Sequence, residues 1–546
     1  LNSTTQSEEP SPEERRLEYI SGWEGVGTAA ILADGGAAIW VPAGDVRRAR
    51  ALLSCAWLVI DGDDPSQPTI VEWISVRVTW REKVWAVRNE LRSMSADAMV
   101  VTALDEVAWL LNIRGRDNPY APLLKAFVII SSKDVRVYAP PGKLSMPVRE
   151  ILSVYNCYTN SNNLNEYTTI YSDLRRATES KILIPTAGTF QRGASAAIAQ
   201  SVSQSKRLFQ PSPIIYLKAQ KNQAEIKGMR KAHLRDAVAM CTVMCYMETM
   251  TVAMKVDLTR ATQAGYVSLS MQTRVAFGPN GAEPEYKATN DTNRRIFTNS
   301  TLVIQSGGQY DEGTTTVTRT LHYGTPSREE RKAYTSVLRS LAAFGTLLTP
   351  ATLPAAHTDP VVRAPLWSFK QDYIPPTGHG VGAALNRREG TNVYYYKNYM
   401  QDTNLHTFRE GYFITIEPAW YENRKFGVKL GNVLEVIPRP SNYLGFREAT
   451  LIPFEPKLID KNLLTEYEVR INWLNAYNDR IRQTVGPELN IQGLTDVYYW
   501  MMNKTIKIES PRAKKNNPNS AVSYKTLQLN ILIKSTCLVL LNFTKQ

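Results

Sequence analysis

The sequence predicts a mixed α/β and α+β protein in three folded units, and three patterns carry that expectation. Strands alternate with helices up to residue 218, a long run of strands separated by Gly and Asn turns lies between Thr301 and Pro453, and amphipathic helices flank that run. A chain of 546 residues is also too long for one hydrophobic core. Its 43% apolar and 21% charged content is that of a folded protein rather than a disordered one.

Residues 1–74 form the first expected unit. The polar, Pro-containing start LNSTTQSEEPSPEE reads as a mature N-terminus left after removal of a signal peptide. With sequons at Asn2, Asn290, Asn299, Asn503 and Asn542, it sets the expectation of a secreted or extracellular protein, the cytoplasm being the alternative. YISGWEGVGTAAILADGGAAIWV then gives strands, a helix runs from Arg47 to Leu53, and DGDDPSQP marks a boundary.

Residues 75–218 open with TWREKVWAVRNELRSMSA, whose Val84, Val87 and Leu91 recur at helical spacing. The strand AMVVTAL, the helix DEVAWLLNIRG and the strands AFVIIS and VRVYAP continue the alternation. Residues 219–508 begin with a long helix whose Met240, Met244 and Met247 are expected in the core. LVIQSGGQYDEGTTTVTRTLHYGTP follows as a hairpin turning at Asp311 to Gly313, with arms that point Gln305 and Thr316 inward. A helix at SREERKAYTSVLRSLAAFGTLL and a terminal amphipathic helix from KNLLTEYEV complete the unit.

Residues 509–546 read as a tail. Its apolar stretch LQLNILIKSTCLVLLNF is interrupted by Gln528, Asn530 and Lys534 and is too short to span a bilayer, so membrane attachment is not expected. The net charge of +13 is spread along the chain, with no zinc-finger spacing, aromatic RNA-binding signature or basic region before heptads, so no nucleic-acid partner is expected. Five scattered cysteines make no disulfide framework.

Two residues stand out as metal-ligand candidates: His379 in the Gly-flanked loop TGHGVG, and Glu417 at the end of the strand FITIEPAWY. Each alone is also readable as a hydrogen-bonded structural residue, which for a lone His is the commoner case. TALDEVAWLLNIRG, GMRKAHLRDAV, GPNG, GTTTVTRTLHYGTP, PTGHGVG and the run from FEPKLID to WLNAYN, in that order, resemble the Xaa-Pro aminopeptidases (aminopeptidase P). The resemblance implies two creatinase-like α/β domains, the first truncated here, and a C-terminal pita-bread domain. It also implies a site for two manganese ions held by five ligands, which activate the hydroxide that attacks the peptide bond.

Carried onto this chain, the resemblance places His379 and Glu417 in ligand positions. The family's two hairpin aspartates fall at Gln305 and Thr316, and its last glutamate falls at Gly431 in VKLGNV. Two substrate histidines fall at Glu285 and, where the family segment NVHEG reads NRREG, at Arg388. Three carboxylates are thus missing. A pocket holding two dications without them carries a large uncompensated positive charge. The expectation is therefore a catalytically inactive relative without bound metal, in which Arg388 or a neighbouring cation pairs with Glu417. The alternative is an active enzyme that removes an N-terminal residue preceding proline, using unexpected ligands or one ion, for which His379, Glu417 and Glu285 are the candidate ligands. The partners expected are a proline-containing peptide and a second copy of the chain or an active paralogue.

Overall fold

The computed structural model describes residues 16–509 except 26, 32–36, 54–56, 64–78, 146–147, 150–151, 153–163, 189, 247–251, 395–405 and 465–467. Met247, the boundary DGDDPSQP from Asp64 onward, and the apolar stretch at 527–543 therefore lie outside the described residues. Among the described residues, no helix is long and apolar enough to cross a membrane.

The first unit is a three-stranded sheet of β1 (Thr28–Ile31), β2 (Ala37–Val41) and β3 (Trp57–Asp61), with β2 and β3 parallel. The helix Val46–Leu52 connects them. Trp23, Ile39, Val41, Ala49 and Val59 make its small core.

The second unit is a six-stranded mixed sheet in the order β7 (Leu164–Glu166), β6 (Val135–Ala139), β5 (Phe127–Ser131), β4 (Ala98–Val101), β8 (Ile182–Pro185) and β9 (Arg207–Gln210). β4 is buried at every position, as a central strand covered on both faces should be. The helix Trp80–Ser93 buries Val84, Val87 and Leu91 against it. That helix starts at a capping box, with Thr79 accepting from the Glu82 amide while Glu82 accepts from that of Thr79.

The third unit is built around the long helix Gln223–Tyr246 and curved antiparallel sheets. Met240 and Met244 are in its core, as their spacing implied. β10 (Tyr266–Leu269), β13 (Gly308–Tyr310) and β14 (Gly313–Thr314) form one short sheet. β11 (Arg274–Phe277), β12 (Leu302–Ser306) and β15 (Val317–Leu321) form another. The hairpin expected from the sequence is thus divided between two sheets, with its turn at Asp311-Glu312.

A six-stranded sheet orders β16 (Thr349–Pro350), β23 (Tyr443–Glu448), β22 (Asn432–Arg439), β19 (Phe413–Ile416), β17 (Gly378–Gly380) and β18 (Glu389–Val393). β20 (Ala419–Glu422) and β21 (Phe426–Lys429) pair as a hairpin beside it. The helix Arg328–Gly345, capped by Ser327 and Glu330, covers one face. The third unit has the pita-bread arrangement and follows the two α/β units in the chain.

Two glycines are fixed by close backbone approach. A Cβ on Gly427 would lie 1.7 Å from the carbonyl oxygen of Gly281, so GPNG packs onto β21 only with glycine there. A Cβ on Gly378 would lie 1.9 Å from the Thr415 carbonyl oxygen, so β17 can reach β19 only with glycine before His379.

Second and third units are locked by buried charge. Lys218 Nζ lies 3.1 Å from Asp105 and 2.7 Å from Glu389, and Lys221 also bonds Glu389. Arg114 donates across the junction to the carbonyls of Ala384 at 2.6 Å and Ala383 at 3.1 Å. Beside Asp105, the buried Glu106 is pushed up to about 8, first by loss of solvent and then by the Asp105 charge. Its folded value lies above its unfolded one, so its contribution to stability is complete below the unfolded value and is lost as pH rises towards 8. Glu106→Gln is therefore expected to flatten that decline, gaining ~3 kcal/mol at pH 8 relative to pH 5 in urea unfolding. An unchanged pH slope would contradict this assignment.

Candidate functional site

Four segments converge at the centre of the third unit. β12 presents Gln305, β17 presents His379, the end of β19 leads into Glu417, and the link from β21 to β22 carries Gly431. Backbone bonds fix the convergence. The Glu417 amide donates to the Thr377 carbonyl at 2.7 Å, and Thr318 and Gly431 exchange bonds of 3.2 and 3.0 Å. Arg319, fully buried, reinforces that bridge by donating to the carbonyls of Gly431 at 3.0 Å and Ile452 at 2.8 Å and to the Tyr477 hydroxyl at 2.9 Å.

Glu417 is 7% exposed and each of its oxygens has a different environment. Oε2 receives the Lys429 ammonium at 2.9 Å and the Gln305 amide nitrogen at 3.2 Å. Oε1 faces His379 Nε2 at 3.4 Å, and neither atom has a hydrogen-bond partner among the described residues. His379 Nδ1 lies 2.8 Å from the Gly380 carbonyl, which only accepts, so Nδ1 carries the proton. In the neutral ring, Nε2 and Oε1 thus turn lone pairs towards each other.

Burial opposes the charge on Glu417, but Lys429 first, and then His379 and Arg387, outweigh it and hold the carboxyl well below its usual range. Burial drives His379 down and Arg387 and Arg388 push the same way, against the pull of Glu417, so the ring is neutral at pH 7. Arg387, half-buried, is lowered to about 10 by burial and by Arg388, and remains a cation at pH 7.

Gln305, His379, Glu417 and Gly431 are therefore brought together as the sequence implied. Thr316 is buried immediately before β15, where Val317 pairs with Ser306, the neighbour of Gln305. A Cβ on Gly431 would lie 3.3 Å from Glu417 Cγ, so that position faces the same centre. Arg388 lies at the exposed rim, and the cation on Glu417 is its neighbour Lys429. Glu285 does not reach inward as the single-ion alternative requires. It is 60% exposed and paired with Arg274 at 2.5 Å, because that guanidinium, opposite Gln305 in β11, meets it at the rim. Asp311 and Glu312 stay at the hairpin tip, where Glu312 binds Lys231 and Arg235 at 2.8 and 2.7 Å.

The sequence reading missed Lys429, Arg387 and Phe190. Lys429 was legible: two residues before Gly431 along an extended chain, it shares that residue's face, and Val428 and Leu430 occupy the other. Phe190, from the second unit, sets its ring edge on His379 at 5.9 Å between centroids, and no local pattern announces it. Its loop is held by Gln191, which donates to Asp105 at 3.1 Å.

Family comparisons agree with this architecture. Residues 65–225 match the Creatinase/Prolidase N-terminal domain, 227–438 match metallopeptidase family M24, and 442–508 match the C-terminal region of peptidase M24. Xaa-Pro aminopeptidase 1 of Dictyostelium discoideum is 35% identical over 443 residues, covering 78% of this chain and 68% of that protein. The chain belongs to the Xaa-Pro aminopeptidase family of M24 metallopeptidases. Xaa-Pro aminopeptidase 2 of Sus scrofa is 31% identical over 470 residues, or 83% of this chain and 68% of that protein. Among solved structures, the X-prolyl aminopeptidase of Caenorhabditis elegans, described as a cytosolic enzyme with a di-nuclear active site, superposes with a TM-score of 0.72 at 26% identity. The match covers 93% of this chain and 95% of that one.

Lys429→Met leaves a buried carboxylate without its cation, and is expected to destabilise the third unit by ~3–5 kcal/mol in denaturant unfolding. Adding Glu417→Gln should recover most of that loss. A single variant costing less than ~1 kcal/mol would mean that another charge compensates Glu417.

Proposed function

We propose that this chain is an Xaa-Pro aminopeptidase homologue that has lost its dinuclear metal site and acts as a binding or structural protein. One observation carries the reading: the Lys429 ammonium, 2.9 Å from Glu417, occupies the charge-balancing position beside that carboxylate. The donor set does not fit two divalent ions. Hard cations need several anionic oxygens, and here a single carboxylate is already shared with Lys429 and Gln305. In this reading the partner is a proline-containing peptide, bound by the chain alone, as a homodimer or with an active paralogue.

A second reading, an active Xaa-Pro metalloaminopeptidase, is favoured by the names of the relatives and by the facing pair of His379 Nε2 and Glu417 Oε1, a slot of the kind one cation fills. The description of the nematode protein as cytosolic supports a cytoplasmic location for this chain over the secreted one that its first residues suggested.

Purified protein supplied with manganese, assayed on an Arg-Pro-Pro peptide and analysed for bound metal, separates the two readings. The first expects turnover at background and well under one manganese per chain. Stoichiometric manganese with robust release of arginine would establish the second. A complementary gain-of-function test is Gln305→Asp/Thr316→Asp/Gly431→Glu, which should bind manganese where the parent does not. The side chain introduced in place of Gly431 must displace Thr318 slightly, since its Cβ would sit 3.1 Å from that hydroxyl.

A further inference from the structure

Around Glu417 the side-chain charges no longer balance. Arg274, Arg387, Arg388 and Lys429 act on Glu417 and Glu285 or on one another, so four cations face two carboxylates. Each carboxylate is already matched, Glu417 by Lys429 at 2.9 Å and Glu285 by Arg274 at 2.5 Å. Arg387 and Arg388 are left over. They are adjacent in sequence, and both stand where the family segment NVHEG has Val and His. Like charges held side by side and partly out of water repel unless an anion lies between them.

The geometry narrows the position further. Arg387 Nη1 is buried without a hydrogen-bond partner among the described residues, an arrangement that an external acceptor relieves. The loop bearing the two arginines is fixed at both ends. Arg114 holds the carbonyls of Ala383 and Ala384, and Glu389, next to Arg388, is clamped by Lys218 and Lys221. Burial is graded from Glu417 through the half-buried Arg387 to the exposed Arg388, so solvent reaches the pair from the Arg388 side.

We propose that this centre, in place of a metal pair, binds a divalent oxyanion at Arg387 and Arg388, with the unpartnered Arg387 Nη1 as one donor. A phosphate-type group or a dicarboxylate carries the required chemistry: two negative charges and paired oxygens that accept bidentate guanidinium bonds. The inference deepens the proposed loss of the metal pair and rests on it.

Isothermal titration calorimetry of the full chain at fixed ionic strength tests it, with inorganic phosphate in one arm and succinate in the other. Saturable binding of about one anion per chain is expected in at least one arm, and the stronger arm identifies the source. Arg388→Gln, at the exposed rim, should weaken it about tenfold or more. Arg387→Val/Arg388→His should abolish it while the circular dichroism spectrum is kept. No saturable binding in either arm, or equal affinity in Arg388→Gln, would overturn the proposal. Manganese content measured on the same samples keeps the two failures apart. Metal-free protein without anion binding defeats only this inference, whereas stoichiometric manganese defeats the loss of the metal pair.

Discussion

A carboxylate enclosed among strands requires a positive charge within reach, and the centre of the third unit is organised by that requirement at Glu417. An isolated ionised carboxyl is too costly to bury, so folding either protonates it or supplies a cation. Here the cation is covalent. Lys429 extends from the strand beside Gly431 and meets the oxygen that Gln305 also contacts. An ammonium on a tether supplies one charge at one point, whereas a pair of metals supplies four and draws in further carboxylates. The amide at Gln305, the hydroxyl at Thr316 and the bare backbone at Gly431 are consistent with the smaller charge to be matched.

The same view separates the residues that hold the strands from those that set the charge at Glu417. Gly378 and Gly427 admit close backbone contact between elements, and Arg319 ties the hairpin to Gly431 and to the terminal helix through Tyr477. None of these tasks depends on catalysis. The buried lattice of Lys218, Asp105 and Glu389 likewise serves the junction between units, and as a by-product it holds the loop of Arg387 and Arg388 still. Scaffold and chemistry are separable here because the strand geometry is set by backbone contacts rather than by the ligands.

Much of the fold was legible in the sequence because it rests on local signals. The helical spacing of Val84, Val87 and Leu91, the apolar run at β4 and the capping residues before Arg328 each specify their element directly. The site was half legible. Ordered motifs placed His379, Glu417, Gln305 and Gly431, and the structure brings these four together. The direction of the Glu285 side chain was not legible, because closeness in a motif does not give it: its partner Arg274 holds it at the rim. Phe190 was invisible because its contact with His379 joins residues of different units, a relation fixed by packing alone. The inward lysine was legible in the strand alternation, two residues before Gly431.

The most direct measurement is a crystal structure of the protein soaked in manganese, with anomalous scattering recorded at the manganese edge. If Lys429 has taken over the balancing of Glu417, no anomalous peak will lie beside His379, and the lysine ammonium will remain within hydrogen-bond distance of the carboxylate. A strong peak between His379 Nε2 and Glu417 Oε1, with the Lys429 side chain swung away, would contradict that conclusion and make the chain a metalloenzyme.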